Sequence, residues 1–254
     1  MRYACSGKCV VRRYRRGTGV NGFYKIGYDR AFSCPTARSS VELQSAFDGL
    51  LHSDQPLSGL DDLIWQSLRD GADSSDHPWN LGAFSTIDSA HPQFPRPECR
   101  KVVLRHADQQ RRTIDFYTDV RSDKIRQLNS GHSPALACWL FYEATTKIQL
   151  RLDGMAEVID GEQADEVWKQ TAADSRASYL SIDPPGERVN DPLPPSTADR
   201  FVTQEVSERG RKNFRIVRTT VRHADWLYLR RQGHVRSMID YDASGAIDAF
   251  WVVP

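Results

Sequence analysis

The chain has 254 residues, with 34 basic against 33 acidic side chains, a net charge of +1 and 39% apolar residues. At about 150 residues per domain that length allows one large domain or two small ones. The longest apolar run, Pro134 to Tyr142, falls far short of the roughly 18–20 residues of a membrane-spanning helix, which excludes one.

The neutral total hides an asymmetry. Residues 1–40 hold Arg2, Lys8, Arg12, Arg13, Arg15, Arg16, Lys25, Arg30 and Arg38 against Asp29 alone, a charge of +8 that leaves −7 on the remainder. Repeated Gly, Arg and Tyr without helical or strand periodicity read first as a solvated, disordered basic tail. A targeting peptide, a nucleic-acid arm built on Arg12 to Arg16 with Tyr14, and a natural start further downstream are the alternatives. The acidic body lacks the basic face that phosphate backbones demand, so nucleic acid is not an expected partner of it. Five cysteines, three of them (Cys5, Cys9 and Cys34) in the leader, form neither a disulfide framework nor a paired zinc motif. That pattern predicts a reducing compartment, most simply the cytoplasm. Cys138, inside the apolar run, reads as buried.

Residues 41–57 read as a linker, giving a leader and linker over 1–57 and one domain over 58–254. Ser58-x-x-Asp61 resembles a capping box, and Leu60, Leu63, Ile64 and Leu68 follow on one helical face, with Gly71 as a stop. A strand is predicted at Asn80 to Ile87. The prolines at 92, 95 and 97 make residues 90–98 a loop. Arg100 to Arg105 reads as a short strand, His106 to Gln110 as a turn, and Thr113 to Thr118 as the returning arm of a hairpin. Ser122 caps a short helix through Leu128. Ala135 to Tyr142 is a strand apolar on both faces. Ile148, Leu150 and Leu152 alternate with Gln149, Arg151 and Asp153, so that strand has one wet face, with a bulge or bend at Gly154 and a continuation to Ile159. A helix from about Gln163 carries Val167 and Trp168. Residues 183–195 form a proline-rich loop, Ser196 caps a helix to about Arg211, and strands follow at Phe214 to Leu229, His234 to Tyr241 and Ile247 to Val253. Many strands, few helices and no regular βαβ alternation predict a mainly β, α+β fold: a closed or nearly closed antiparallel barrel with flanking helices.

No G-x-S-x-G elbow, H-E-x-x-H motif or dinucleotide fingerprint is present in the body, and His77, His91, His106 and His132 sit in polar or loop contexts that read as solvated. What remains is a set of anion-binding groups. Arg100 and Arg105, five apart on one strand, would point to opposite faces. Thr118, Arg121, Ser122 and Lys124 gather hydroxyls and cations where a strand runs into a helix, a natural phosphate site; strand-edge arginines beside an ordinary cap are the plainer reading. Gln149 stands on a wet strand face. His234 and Arg236, two apart, share a side, and Trp226 could supply a flat wall or be a core tryptophan.

In their order and spacing these pieces resemble the pyridoxamine 5′-phosphate oxidase family, the flavin-binding split barrels, from about Ser58 to Pro254. The pieces are Arg100-Lys-Val-Val-Leu-Arg105, Phe116-Tyr-Thr with Ser122-Asp-Lys124, Ile148-Gln-Leu-Arg-Leu-Asp-Gly154, and His234-Val-Arg236 with the terminal Trp251-Val-Val-Pro254. The resemblance implies FMN at the interface of a homodimer, its phosphate on Arg100, Thr118, Ser122 and Lys124. Val102, Val103 and Tyr117 would line the ring and ribityl path. Gln149 would meet the flavin's polar edge from the partner subunit, and Trp226 and Arg236 would close the site. It also implies an oxidoreductase passing hydride from a small-molecule substrate to flavin N5, with His234 and Arg236 orienting the substrate. Several positions depart from the family pattern. Its Ser-Arg-Lys is Ser122-Asp123-Lys124, with Arg121 one place earlier as the replacement charge. Its first-motif Lys is Arg105. Its Arg-x-His near the end is Gln232-Gly-His234. Its substrate-phosphate Tyr, Arg and Ser are echoed only by Trp168, Ser175 and Arg176. The cofactor side matches better than the substrate side, so a non-catalytic module for FMN or another flat cofactor, haem or a deazaflavin, is the alternative.

Overall fold

The structure, a computed structural model, describes residues 40–90, 93–130, 134–190, 203–243 and 246–254. The readings made of the basic leader up to residue 39, of Ser196 as a cap, and of residues 191–195 of the proline-rich loop lie outside the described residues. No described helix is long and apolar enough to cross a membrane.

The first described element corrects the linker reading. Helix α1 spans Ser40–Leu50 and buries Leu43 and Phe47 completely. Each such side chain contributes about 1.5–3 kcal/mol by leaving water, which holds the segment against the barrel. Its weak apolar pattern, only two strongly buried positions, explains why it reads as a connector. Helix α2 spans Pro56–Asp73, starting two residues before the expected Ser58, because Pro56 suits the first turn, where its missing N–H costs nothing. Gly71 does not stop the helix. A Cβ there would lie 2.9 Å from the carbonyl oxygen of Trp79, so glycine permits the chain beyond the helix to fold back tightly. His77 is buried in that return, its Nδ1 accepting from the Trp79 N–H at 3.1 Å, and is not the solvated side chain expected.

The sheet comprises nine strands: β1 Leu81–Asp88, β2 Arg96–Val103, β3 His106–Asp108, β4 Thr113–Asp119, β5 Ala135–Glu143, β6 Ile148–Ile159, β7 Phe214–Tyr228, β8 Val235–Tyr241 and β9 Ile247–Val252. The antiparallel order β2-β1-β5-β6-β7-β4-β3 runs around the barrel, and β8 and β9 branch off β7. The long β7 makes that possible. Its residues 214–220 pair with β4 and residues 223–228 with β8, while β6 accompanies both halves. The change falls at a bulge where the β6–β7 register slips between Asp153 and Gly154. A Cβ on Gly154 would sit 2.2 Å from the carbonyl oxygen of Thr220, so only glycine fits. The antiparallel split barrel with flanking helices is thus the observed architecture.

Two local expectations change. β2 begins at Arg96, inside the expected loop, and tolerates Pro97 because it is an edge strand pairing only with β1. The expected strand from Arg100 to Arg105 is broken after Val103. Hence β2 does not form a hairpin with β4; the supposed turn at His106 is instead β3, which pairs with β4 over Thr113–Asp115. The barrel interior holds Phe84, Phe116, Trp139 and Phe141, with ring centroids 4.8–5.7 Å apart. β5 is apolar on both faces, as expected, but one of them is open: Leu136, Leu140 and Tyr142 are exposed, and Cys138, expected to be buried, is half-buried.

The remaining helices are α3 Asp123–Asn129, α4 Glu162–Gln170, α5 Ala173–Arg176 with a 3-10 turn at Ala177–Leu180, and α6 Gln204–Glu208. The last is shorter than expected and is capped by Thr203, whose side chain accepts the Val206 N–H at 3.2 Å.

Candidate functional site

β2 and β4 approach each other without pairing. Among the described residues β2 has β1 on one side only, and β4 beyond Asp115 has β7 on one side only. Between their free edges lies a hollow of about 320 Å³ lined by Arg100, Lys101, Val102, Val103, Arg105, Phe116, Tyr117, Thr118, Lys124, Ser178 and Tyr179. Among the described residues, two strand edges without a ladder partner on that side therefore border a hollow lined by Val102, Val103, Tyr117 and Tyr179.

One end of the hollow is cationic. Lys124 Nζ donates to Thr118 Oγ1 at 3.1 Å, and Thr118 Oγ1 lies 3.2 Å from Ser122 Oγ, which donates to the Asp119 carbonyl at 2.7 Å. Ser122 occupies the N-cap position of α3, and its side chain bonds back to the turn instead of capping. Arg100 donates to Thr86 Oγ1 at 2.7 Å and Gln127 Oε1 at 2.9 Å. Among the described residues neither Arg100 nor Lys124 forms an ion pair with a carboxylate. Burial, followed by the nearby Arg100 charge, pushes the Lys124 ammonium below the ordinary lysine value. Two cations outside any salt bridge, with hydroxyls around the same hollow, are the donor set for a doubly charged anion.

The other end is aromatic. The Arg105 guanidinium lies 5.7 Å from the Tyr117 ring centroid. Burial raises the phenol of Tyr117, and that of Tyr179 to about 12, so both stay neutral donors at physiological pH. Arg100 and Arg105 line the same hollow. The opposite-face expectation assumed an unbroken strand, and the break at residues 104–105 removes its basis.

Other expected residues lie elsewhere. Arg121 does not reach the hollow. It is held by the Asp119 carboxylate at 2.7 and 3.0 Å and donates to the carbonyls of Ser181 and Ile182. Its two hydrogen bonds to residues 181–182 tie down the segment that brings Ser178 and Tyr179 to the hollow. Arg176 is fully buried, its guanidinium 4.7 Å from the Trp168 ring and bonded to Ser207 and Glu208, so it cannot hold a substrate phosphate. Trp226 is a core side chain, 5.3 Å from Phe47 of α1, and presents no wall to the hollow. Gln149 lies on the outer sheet face opposite Tyr142 and Leu227. Arg236 shares that face, tied to Asp225 at 2.8 and 2.9 Å, and Arg151 meets the same carboxylate at 3.0 Å. His234 is exposed, one residue before β8. Apart from Arg121 and the core Trp226, the expected residues thus form two groups within one chain, one around the hollow and one on the outer face.

Sequence reasoning missed Thr86, Gln127, Lys101, Ser178 and Tyr179. Gln127 carried a signal: three residues after Lys124 on a helix, it shares that side chain's face.

Residues 62–160 match the family model described as pyridoxamine 5′-phosphate oxidase, FMN-binding domain. The chain is similar to pyridoxine/pyridoxamine 5′-phosphate oxidase 2 of Arabidopsis thaliana, 34% identical over 129 residues, covering 42% of this chain and 63% of that protein, less than two thirds of its length. Two solved structures share the fold. One is a pyridoxamine 5′-phosphate oxidase-related, FMN binding protein of Nostoc punctiforme, with a TM-score of 0.56, 20% identity and 76% of this chain and 96% of that one covered. The other is PhzG of Burkholderia lata 383 in complex with tetrahydrophenazine-1-carboxylic acid, with a TM-score of 0.50, 17% identity and coverages of 69% and 82%. The matched segment holds the cationic end of the hollow, and its cations outside any salt bridge, hydroxyls and flat edge-lined slot fit a phosphorylated flavin.

Proposed function

We propose that the protein is an FMN-dependent oxidoreductase acting on a small molecule, from the premise that residues 62–160 match the pyridoxamine 5′-phosphate oxidase, FMN-binding domain family model. Arg100, Lys124 and Thr118, backed by Ser122, hold the phosphate, and Val102, Val103 and Tyr117 with the free edges of β2 and β4 take the remainder of the flavin. The chemistry FMN supplies when bound is acceptance of hydride from a substrate carbon at N5. The observation that carries the reading is the pair of cations, Arg100 and Lys124, facing one hollow, neither of them in a salt bridge with a carboxylate among the described residues.

A second copy completes the site in this reading. The hollow lies at the small end of ligand sites, which run roughly 300–1,000 Å³. Gln149 and Arg236 stand on the outer sheet face, beside the exposed Leu136, Leu140 and Tyr142 of β5. An apolar sheet face of this kind is suited to pairing. The partner copy would bring its Gln149 to the flavin's polar edge and its His234 and Arg236 to the substrate.

Purified protein should be yellow and release a ligand of FMN mass on denaturation; a colourless protein that takes up no added FMN refutes the proposal. Leu140→Asp should convert dimer to monomer in light scattering and release the flavin together. A second reading, a flavin-binding module without turnover, is favoured by the burial of Arg176 and the engagement of Arg236 with Asp225. Anaerobic bleaching of the flavin by an amine or pyridine-nucleotide donor decides for the oxidoreductase, and absence of bleaching decides for the module.

A further inference from the structure

Arginines on this barrel are usually held by acids. Arg121 is clasped by Asp119, Arg126 by Asp88, Arg218 by Asp115 and Arg236 by Asp225, each through more than one nitrogen. Arg100 is the contrast. Its guanidinium is gripped by two neutral, buried acceptors, the Thr86 hydroxyl on β1 and the Gln127 amide oxygen on α3, with a longer contact of 3.4 Å to the Phe84 carbonyl. The two acceptors are themselves joined, Thr86 Oγ1 donating to Gln127 Oε1 at 2.6 Å.

The chemistry of this arrangement differs from that of an ion pair. A carboxylate fixes a guanidinium but cancels its charge. A hydroxyl and an amide fix it and leave the full charge for a ligand. Guanidinium has five N–H donors. The bonds to Thr86 and Gln127 come from its terminal nitrogens Nη1 and Nη2, and donors remain for phosphate oxygens. Gln127 also belongs to the same short helix as Lys124, so α3 supplies one cation directly and orients the other.

We propose that Gln127, with Thr86, is the positioning pair for the phosphate-binding arginine, and that its neutrality sets the preference for a phosphorylated over an unphosphorylated flavin. This rests on the reading of the hollow as an FMN-phosphate site. Gln127 touches no part of the flavin; it acts through Arg100.

The test titrates the full-length protein, stripped of flavin, with FMN and with riboflavin, following flavin fluorescence. The ratio of the two dissociation constants isolates the phosphate. Wild type should prefer FMN. Gln127→Met should lower that preference about tenfold, the effect of losing one hydrogen bond to a charged group, with riboflavin binding and melting temperature little changed. Gln127→Glu keeps the acceptor in place but neutralises Arg100, so it should lower the preference at least as far. Thr86→Val, which removes the other acceptor at constant shape, carries the test if Gln127→Met does not fold. Equal losses for FMN and riboflavin would mark Gln127 as structural and overturn the proposal. An unchanged ratio in Gln127→Glu would overturn the role of neutrality. A ratio that Arg100→Ala abolishes and Gln127→Met leaves intact would sink the positioning role while the FMN reading stands. A wild type with no preference for FMN, unaltered by Arg100→Ala, would sink the phosphate site itself and this inference with it.

Discussion

Replacing Lys124 by Met separates a ligand-binding cation from a structural one. The Lys124 ammonium is half-buried, meets the Arg100 charge and the more distant carboxylates of Asp119 and Asp123, and donates its hydrogen bond to a neutral group, Thr118. Removing it relieves desolvation and repulsion from Arg100, at the loss of the attraction of Asp119 and Asp123 and of one hydrogen bond to a charged group, about 1.5–3 kcal/mol. These opposing contributions nearly cancel, so the apoprotein should change by no more than about 1 kcal/mol, a shift of at most ~2–4 °C in melting temperature for a domain of this size. FMN binding should fall. A hydrogen bond between charged groups contributes about 1.5–3 kcal/mol, so FMN should bind roughly 10–150-fold more weakly. Riboflavin, with no phosphate, should bind as before. Differential scanning fluorimetry of the apoprotein and fluorescence titration with the two flavins read both quantities. A fall of several degrees in melting temperature with no change in the FMN-to-riboflavin ratio would refute the assignment.

The same lysine predicts a pH dependence. Its pKa in the flavin-free protein lies below the ordinary 10.5, so FMN affinity should hold at neutral pH and fall as pH rises through that depressed value, and Lys124→Arg should remove the fall. The unfolded chain keeps this proton to higher pH than the folded one, so this group makes the apoprotein more stable as pH rises between the two values. Phe47→Ala should cost about 3–5 kcal/mol, since the ring is fully buried between Trp79 and Trp226. At ~2–3 kcal/mol per molar of urea that moves the midpoint by more than about 1 M; an unmoved midpoint would exclude α1 from the fold. Arg121→Ala should leave the FMN-to-riboflavin ratio intact and speed amide exchange over residues 177–182, whose carbonyls at 181 and 182 it holds. A changed ratio would return Arg121 to the phosphate.

Much of the barrel was legible because alternation is a local signal. β6 reads directly from Ile148, Leu150 and Leu152 against Gln149, Arg151 and Asp153, and burial follows the same alternation. β3 was not legible: three residues with one buried position carry too little pattern to outweigh polar neighbours. α1 was missed because its reason to be helical is the surface it covers, Trp226 and Trp79, far along the chain. At the site, the residue types of the proposed phosphate cradle were readable, since cations and hydroxyls cluster where β4 meets α3. Which arginine serves was not. Arg100 and Arg121 look alike in sequence, and only their neighbours, a neutral amide for one and the Asp119 carboxylate for the other, distinguish them.

The sequence by itself determined the alternation of buried and wet residues, the strand-to-helix cluster of anion-binding groups and hence the fold class, because each depends on residues a few positions apart. The tertiary structure alone decided which strands leave their edges free, which cations keep their charge and which aromatic rings face the core. Those outcomes depend on contacts between distant segments, and a charge is cancelled or preserved only by what the fold brings beside it.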